Sequence, residues 1–226
     1  PPQKMYFNKI EEKVFPNELE LVFVGADFFR KGGLEILNAM DYLLENKVKV
    51  SLNIVSKLNY GDCASKSTKE DLLEAQRIIN KHNKIHHFDS LPNNEVINLF
   101  TKSSIALLPT YDETYGYTVL EAQACGCPVI TTNGGVLKEI NNDECGWIIE
   151  VPLNQDNRTI PKSIESKSNF QKEVTSSLIN IIESVTSNLE LVKIKGKLSL
   201  SRIREKHSQE KAAIRITEIY NSILNE

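Results

Sequence analysis

Between Leu19 and Val151, strand-like and helix-like segments alternate without a break, and that alternation leaves few folds open. Leu19–Val24 is a short apolar run closed by Gly25, as expected of a strand covered on both faces. Helical spacing follows the Gly32-Gly33 step, with Leu34, Leu37, Met40 and Leu44 on one face. Val48–Val55 alternates as a strand, and a helix is predicted from Thr68 to about His82, with Thr68 or Ser67 as its N-cap. The beat continues through a strand at Ile85–Phe88, a helix at Asn94–Phe100 and a strand at Ile105–Leu108. Thr118–Ala124 reads as a helix, Pro128–Thr131 as a strand, then a short helix ends at Ile140 and Trp147–Val151 is the last strand. This order predicts an α/β fold: a Rossmann-like, doubly wound parallel sheet of about six strands with right-handed crossovers. Its ligand crevice would lie at the strands' C-terminal ends.

The flanks read differently. Residues 1–18 are taken as a linker, 19–151 as the sheet domain, 152–169 as a polar, mobile surface loop, and 170–226 as C-terminal helices. Apolar residues at helical spacing mark those helices: Val174, Leu178, Ile181, Ile182 and Val185, then Ala212, Ile216, Ile219, Tyr220 and Ile223. Pro1-Pro2-Gln3 reads as the middle of a linker, so the chain is expected to be part of a longer protein. A formal net charge of −3 gives no support to nucleic-acid binding. No apolar run reaches the length of a membrane span, and the first residues do not read as a signal peptide. None of the four cysteines pairs at C-x2-C spacing; they are expected to be thiols in a reducing cytoplasm, with no metal bound.

Three segments, each at the end of a predicted strand, carry the chemistry. In Gly25–Gly33, Arg30 and Lys31 put two cations on a glycine-flanked loop at a helix N-terminus, a favourable place for a phosphate. The glycine spacing fits neither a dinucleotide fingerprint nor a Walker loop, and a solvated basic turn is the plain alternative. In Glu113–Glu121, two carboxylates flank a loop-to-helix junction that includes Tyr115-Gly116. Helix rise carries Glu121 about 10 Å beyond the helix start, along one wall of the same crevice. A buried carboxylate there can accept hydrogen bonds from a ribose diol, at up to about 3 kcal/mol per charged bond. Gly116 lets backbone amides approach an anion; an ordinary exposed helical glutamate is the alternative for Glu121. In Pro128–Ile140, Gly134-Gly135 offers either amides for a phosphate or only a tight strand-to-helix turn.

Together these residues resemble the C-terminal domain of the GT-B glycosyltransferases, in particular the large retaining family four (glycosyl transferases group 1). The family's strand ending in Gly, followed by a basic residue and Lys-Gly, corresponds to Val24-Gly25 through Arg30-Lys31-Gly32. Its Glu-x7-Glu signature is Glu113 to Glu121, and Glu-Ala-x-Ala-x-Gly-x-Pro-Val follows without a gap through Val129. Gly134 to Glu139 and Glu144-Cys145-Gly146-Trp147 complete the run.

The resemblance implies one half of a GT-B fold that binds a UDP-, GDP- or ADP-sugar and needs no cofactor or metal. Lys31 and Glu113 would be catalytic: Lys31, helped by Arg30, would neutralise the donor diphosphate, and Glu113 would contact the sugar near the reacting carbon. Gly25, Tyr115 and Gly116 would border the donor, Glu121 would hold the ribose, and Asp89-Ser90-Leu91 would border the base. The full protein would transfer a hexose with retention to a glycan, lipid or small-molecule acceptor. It would be cytoplasmic, with peripheral membrane association when the acceptor is a lipid. Its own N-terminal domain, absent here, would hold the acceptor, so this piece alone would be inactive. Ala26 stands where many members carry Arg, which would cost roughly 1.5–3 kcal/mol of diphosphate binding unless Arg30 substitutes. A nucleotide-sugar epimerase of the same architecture and a non-catalytic binding domain are the alternatives.

Overall fold

A computed structural model describes residues 12–16 and 18–224. Six strands, β1 (Leu19–Val24), β2 (Val50–Val55), β3 (Ile85–Phe88), β4 (Ile105–Leu108), β5 (Val129–Thr132) and β6 (Trp147–Ile149), form one sheet in the order β3-β2-β1-β4-β5-β6. Every pairing is parallel. The order reverses direction between β1 and β4, so the loops leaving these two strands diverge and open a crevice between them. The expected doubly wound sheet is thus the one observed.

Helices cover both faces: α1 (Gly33–Glu45), α2 (Lys69–Lys81), α3 (Asn93–Lys102), α4 (Tyr117–Ala124) and α5 (Leu137–Ile140). One apolar layer joins Leu21, Phe23, Leu52 and Ile54 of the central strands to Leu37, Met40 and Leu43 of α1. The opposite layer joins Val22, Ala106 and Leu108 to Phe100 of α3 and Val119 and Leu120 of α4. Thr68 caps α2 as expected, its side chain accepting from the Asp71 amide while Asp71 accepts from the Thr68 amide.

The C-terminal third holds α6 (Ile164–Thr186), α7 (Leu189–Lys206) and α8 (Gln209–Leu224). Residues 164–169, expected in the polar loop, instead form the first turns of α6. Ser163 and Ser166 cap that helix reciprocally, and the turns are polar because they face solvent; only from Phe170 does α6 reach the core. No described residue of α8 is buried, and Ile216, Ile219, Tyr220 and Ile223 are all more than half exposed. No helix among the described residues is long and apolar enough to cross a membrane.

Most of the expected linker, residues 1–18, lies outside the described residues. Within 12–16, Lys13 is 4% exposed, and its Nζ donates to the carbonyls of Phe100 at 3.1 Å and Cys125 at 3.3 Å. Those carbonyls belong to the C-terminal ends of α3 and α4, whose dipoles favour a cation there.

Candidate functional site

Two strand-to-helix connections build the crevice, and a third segment closes its side. Gly32 is the N-cap of α1 with φ 81°, and a Cβ on it would lie 2.2 Å from the Pro109 carbonyl oxygen. Only glycine lets the β1–α1 turn close on the end of β4. The next residue is packed as tightly, since a Cβ on Gly33 would meet the Phe28 ring at 2.4 Å. Gly25 donates its N–H to the Val55 carbonyl at 3.1 Å, so that amide extends the sheet. Its missing side chain makes room for the Lys31 stem, 3.2 Å from where a Cβ would stand.

Lys31 is thereby aimed across the crevice. Its Nζ meets Glu113 Oε2 at 2.5 Å, the two side chains being 11% and 13% exposed. Glu113 Oε1 accepts from the amides of Thr114 at 3.0 Å, Tyr115 at 3.2 Å and Gly116 at 3.1 Å. The carboxylate therefore sits at the N-terminus of α4, where unpaired N–H groups and the helix dipole favour an anion. Burial pushes this carboxyl up, but the Lys31 ammonium and the Tyr115 and Gly116 amides outweigh it and hold it below the usual glutamate range. Gly116, the α4 N-cap at φ 78°, has no room for a side chain: a Cβ would strike Ile140 Cδ1 at 2.2 Å. Tyr115 is 41% exposed and stacks on Tyr117 with ring centroids 4.7 Å apart.

Arg30 lies on the same rim with its charge matched. Its guanidinium bonds Asp27, through Nε at 3.1 Å and through Nη2, while Nη1 reaches the Asp112 carbonyl at 3.3 Å. Lys31 Nζ is 3.5 Å from that same carbonyl, so both cations converge on Asp112. A third cation arrives from a segment with no expected role: Arg158 Nε lies 3.6 Å from Asp112 Oδ1. Nothing in the sequence near Arg158 signals this, because the contact spans more than forty residues.

Glu121 differs from Glu113. It is half-buried on α4, and the described residues give its carboxylate no hydrogen bond or ion pair. Burial alone pushes its pKa up.

The Gly134-Gly135 turn does not offer the Gly135 amide to a ligand. The N–H of Gly135 donates to the Asn157 carbonyl at 2.6 Å, and Thr159 and Leu153 stand over Gly134. Residues 152–162 are thus a strap seated on the β5–α5 turn, with Thr159 5% exposed and its hydroxyl bonded to the Tyr111 carbonyl. The segment is largely exposed over residues 152–158, as expected of a surface loop, and its own backbone supplies the partner that the Gly135 amide needs. The Asp89-Ser90-Leu91 segment leaves the edge strand β3 beside a cavity of about 470 Å³ lined by Lys57, Asn59, Gln76, His87 and Asp89. A larger cavity between α1 and α6, about 810 Å³, includes none of Arg30, Lys31, Glu113, Glu121 and Arg158. Among the described residues no group of three or more His, Cys, Asp or Glu could hold a metal ion, and Cys125, Cys127 and Cys145 are buried free thiols.

A family model described as glycosyl transferases group 1 matches residues 7–169. A D-inositol 3-phosphate glycosyltransferase of Corynebacterium diphtheriae is 24% identical over 131 residues, 58% of this chain and 30% of the relative. The chain thus spans about a third of that relative's length. A sucrose-phosphate synthase of Thermosynechococcus elongatus superposes with a TM-score of 0.67 at 19% identity, covering 93% of this chain and 47% of that one. HepE of Anabaena, solved with UDP and glucose, superposes with a TM-score of 0.66 at 15% identity, covering 91% of this chain and 49% of that one.

Proposed function

The chain belongs to the group 1 glycosyltransferases, with the fold of one half of a GT-B enzyme, and from that premise we propose that it is the donor-binding half of a retaining hexosyltransferase. Its donor is a nucleoside diphosphate sugar, and its acceptor a glycan, a lipid or a small molecule. The observation that carries this reading is the seat of Glu113. A carboxylate lying on three amides at a helix N-terminus, with an ammonium against its other oxygen, occupies an anion site.

In the proposed complex a donor phosphate takes that seat, held by Lys31 and by the amides of Tyr115 and Gly116. Glu113, displaced, turns toward the sugar near its reacting carbon. As the sugar leaves, negative charge grows on the diphosphate, and Lys31, Arg30 and the α4 dipole stabilise it without a metal. Arg30 and Arg158 each exchange a carboxylate partner for phosphate oxygens at little cost, because both pairs are partly exposed. Arg30 in this way covers for the arginine that Ala26 replaces. Glu121, with no partner of its own, accepts the ribose hydroxyls. The acceptor attacks the face the diphosphate leaves, which retains the anomeric configuration.

Names among the relatives support a sugar-transfer role, and HepE solved with UDP and glucose supports a nucleotide-sugar donor. The whole protein works in the cytoplasm, at a membrane surface where its acceptor is lipid-linked, and pairs this half with an N-terminal domain against which the exposed apolar face of α8 packs. Alone, the chain binds nucleotide weakly and transfers no sugar. Calorimetry with UDP-, GDP- and ADP-sugars, on the chain and on its Lys31→Ala and Glu121→Ala variants, tests the reading. One nucleotide should bind and both substitutions should weaken it; binding indifferent to both, or no binding at all, returns the chain to a scaffold role.

A further inference from the structure

A second acid lies behind the site. Glu35, in the first turn of α1, is 1% exposed. Its Oε1 accepts from the Tyr111 hydroxyl at 2.7 Å, while Oε2 has no hydrogen-bond partner among the described residues. A carboxyl so enclosed lowers folding stability compared with a leucine of similar volume. Burial raises its pKa, a shift that the Tyr111 and Gln171 side chains and the charge of Lys167 reduce but do not cancel. The packing of α1 therefore does not explain it.

Tyr111 explains it better. This residue is 1% exposed, and its ring lies on Phe170 of α6 with centroids 3.9 Å apart. Its amide donates to the Arg30 carbonyl at 2.9 Å, and its carbonyl accepts from Thr159 of the strap. One residue on stands Asp112, on which Arg30, Lys31 and Arg158 converge, and two on stands Glu113. Tyr111 is thus the point where the turn bearing the cations, the loop bearing Glu113 and the strap are fastened together. Its ring end is fixed to α1 by a single polar contact, the one to Glu35.

We propose that Glu35 is a positioning residue: through the Tyr111 hydroxyl it sets the β4–α4 loop so that Glu113 and the amides of residues 114–116 face Lys31. This rests on the donor-site reading above, yet it has a readout that needs no donor. In the wild-type chain, the Thr114, Tyr115 and Gly116 amides all donate to Glu113, so their hydrogen exchange, followed by NMR, reports the loop's placement directly.

Glu35→Leu and Glu35→Gln should be compared with the wild-type chain. The leucine variant loses the contact to Tyr111; the glutamine variant keeps an acceptor for it. Glu35→Leu should raise the exchange rates of the three amides about tenfold and weaken nucleotide binding about fivefold, while its melting temperature holds or rises. Glu35→Gln should restore both exchange and binding to near wild type. Unchanged exchange at residues 114–116 in Glu35→Leu overturns the proposal, and so does a fall in melting temperature shared by both variants, which marks Glu35 as an ordinary structural group. If exchange responds as expected but the wild-type chain binds no nucleotide, the positioning role stands and the donor-site reading fails.

Discussion

Two glutamates stand eight positions apart, one just before α4 and one on it, and their surroundings are opposite. Glu113 has an ammonium on one oxygen and three amides on the other, and its pKa is held down. Glu121, also partly buried, has no hydrogen bond or ion pair among the described residues, and its pKa is pushed up. The first already does an anion's work at the head of α4. The second is a desolvated acceptor with its lone pairs unused, which is what a diol requires of a protein. The difference shows that two partly buried acids close together in the chain are distinguished by what they touch.

That contrast can be broken experimentally. The largest effect should come from Lys31→Ala, which removes the ammonium proposed for the donor phosphate and takes from Glu113 its ion-pair partner. Nucleotide affinity should fall at least 30-fold, about 2 kcal/mol or more, in a calorimetric titration. Glu121→Ala should cost about tenfold, roughly 1.4 kcal/mol, and the variant should no longer prefer a ribonucleotide to its 2′,3′-dideoxy analogue. Equal loss for both analogues would show that Glu121 does not hold the ribose.

Proton linkage separates the two acids further. Glu113 has a folded pKa below its usual value of 4.5, so the stability it contributes is present above that value and disappears as pH falls through the lowered one. Glu113→Gln should therefore destabilise the chain by about 1 kcal/mol at neutral pH, and the gap should close in acid denaturation curves. Glu121 has the opposite sign. Its raised pKa means that the ionised carboxylate costs stability above that pKa, and the cost vanishes on acidification. Glu121→Gln should stabilise the fold at neutral pH by a few tenths of a kcal/mol, the smallest of these effects. It should also flatten a fall in nucleotide affinity that the wild-type chain shows as pH drops from neutrality toward that raised value.

Much of this was legible in the sequence because the relevant signals are local. Apolar runs ended by Gly25 and Pro109 mark β1 and β4, Pro128 opens β5, and each strand end puts its loop on the same edge of the sheet. Arg30, Lys31, Glu113 and Gly116 meet for that reason, although the first pair stands more than eighty residues from the second in the chain. Other features depend on contacts that no local pattern encodes. Gly134-Gly135 reads equally as a phosphate turn or a plain one, and only the carbonyl of Asn157 decides it. The start of α6 was hidden because its first turns face solvent and carry no apolar period. Glu35 carries no local sign of burial; that it is enclosed follows from Tyr111 and α6 closing over it.

Lys13 has a mechanical consequence. Its ammonium is moored to the tails of α3 and α4, and α4 is an eight-residue rod, about 12 Å long, whose head carries the amides under Glu113. A pull on the chain at residue 13 would therefore be shared between the tails of both helices and β1, which begins six residues on.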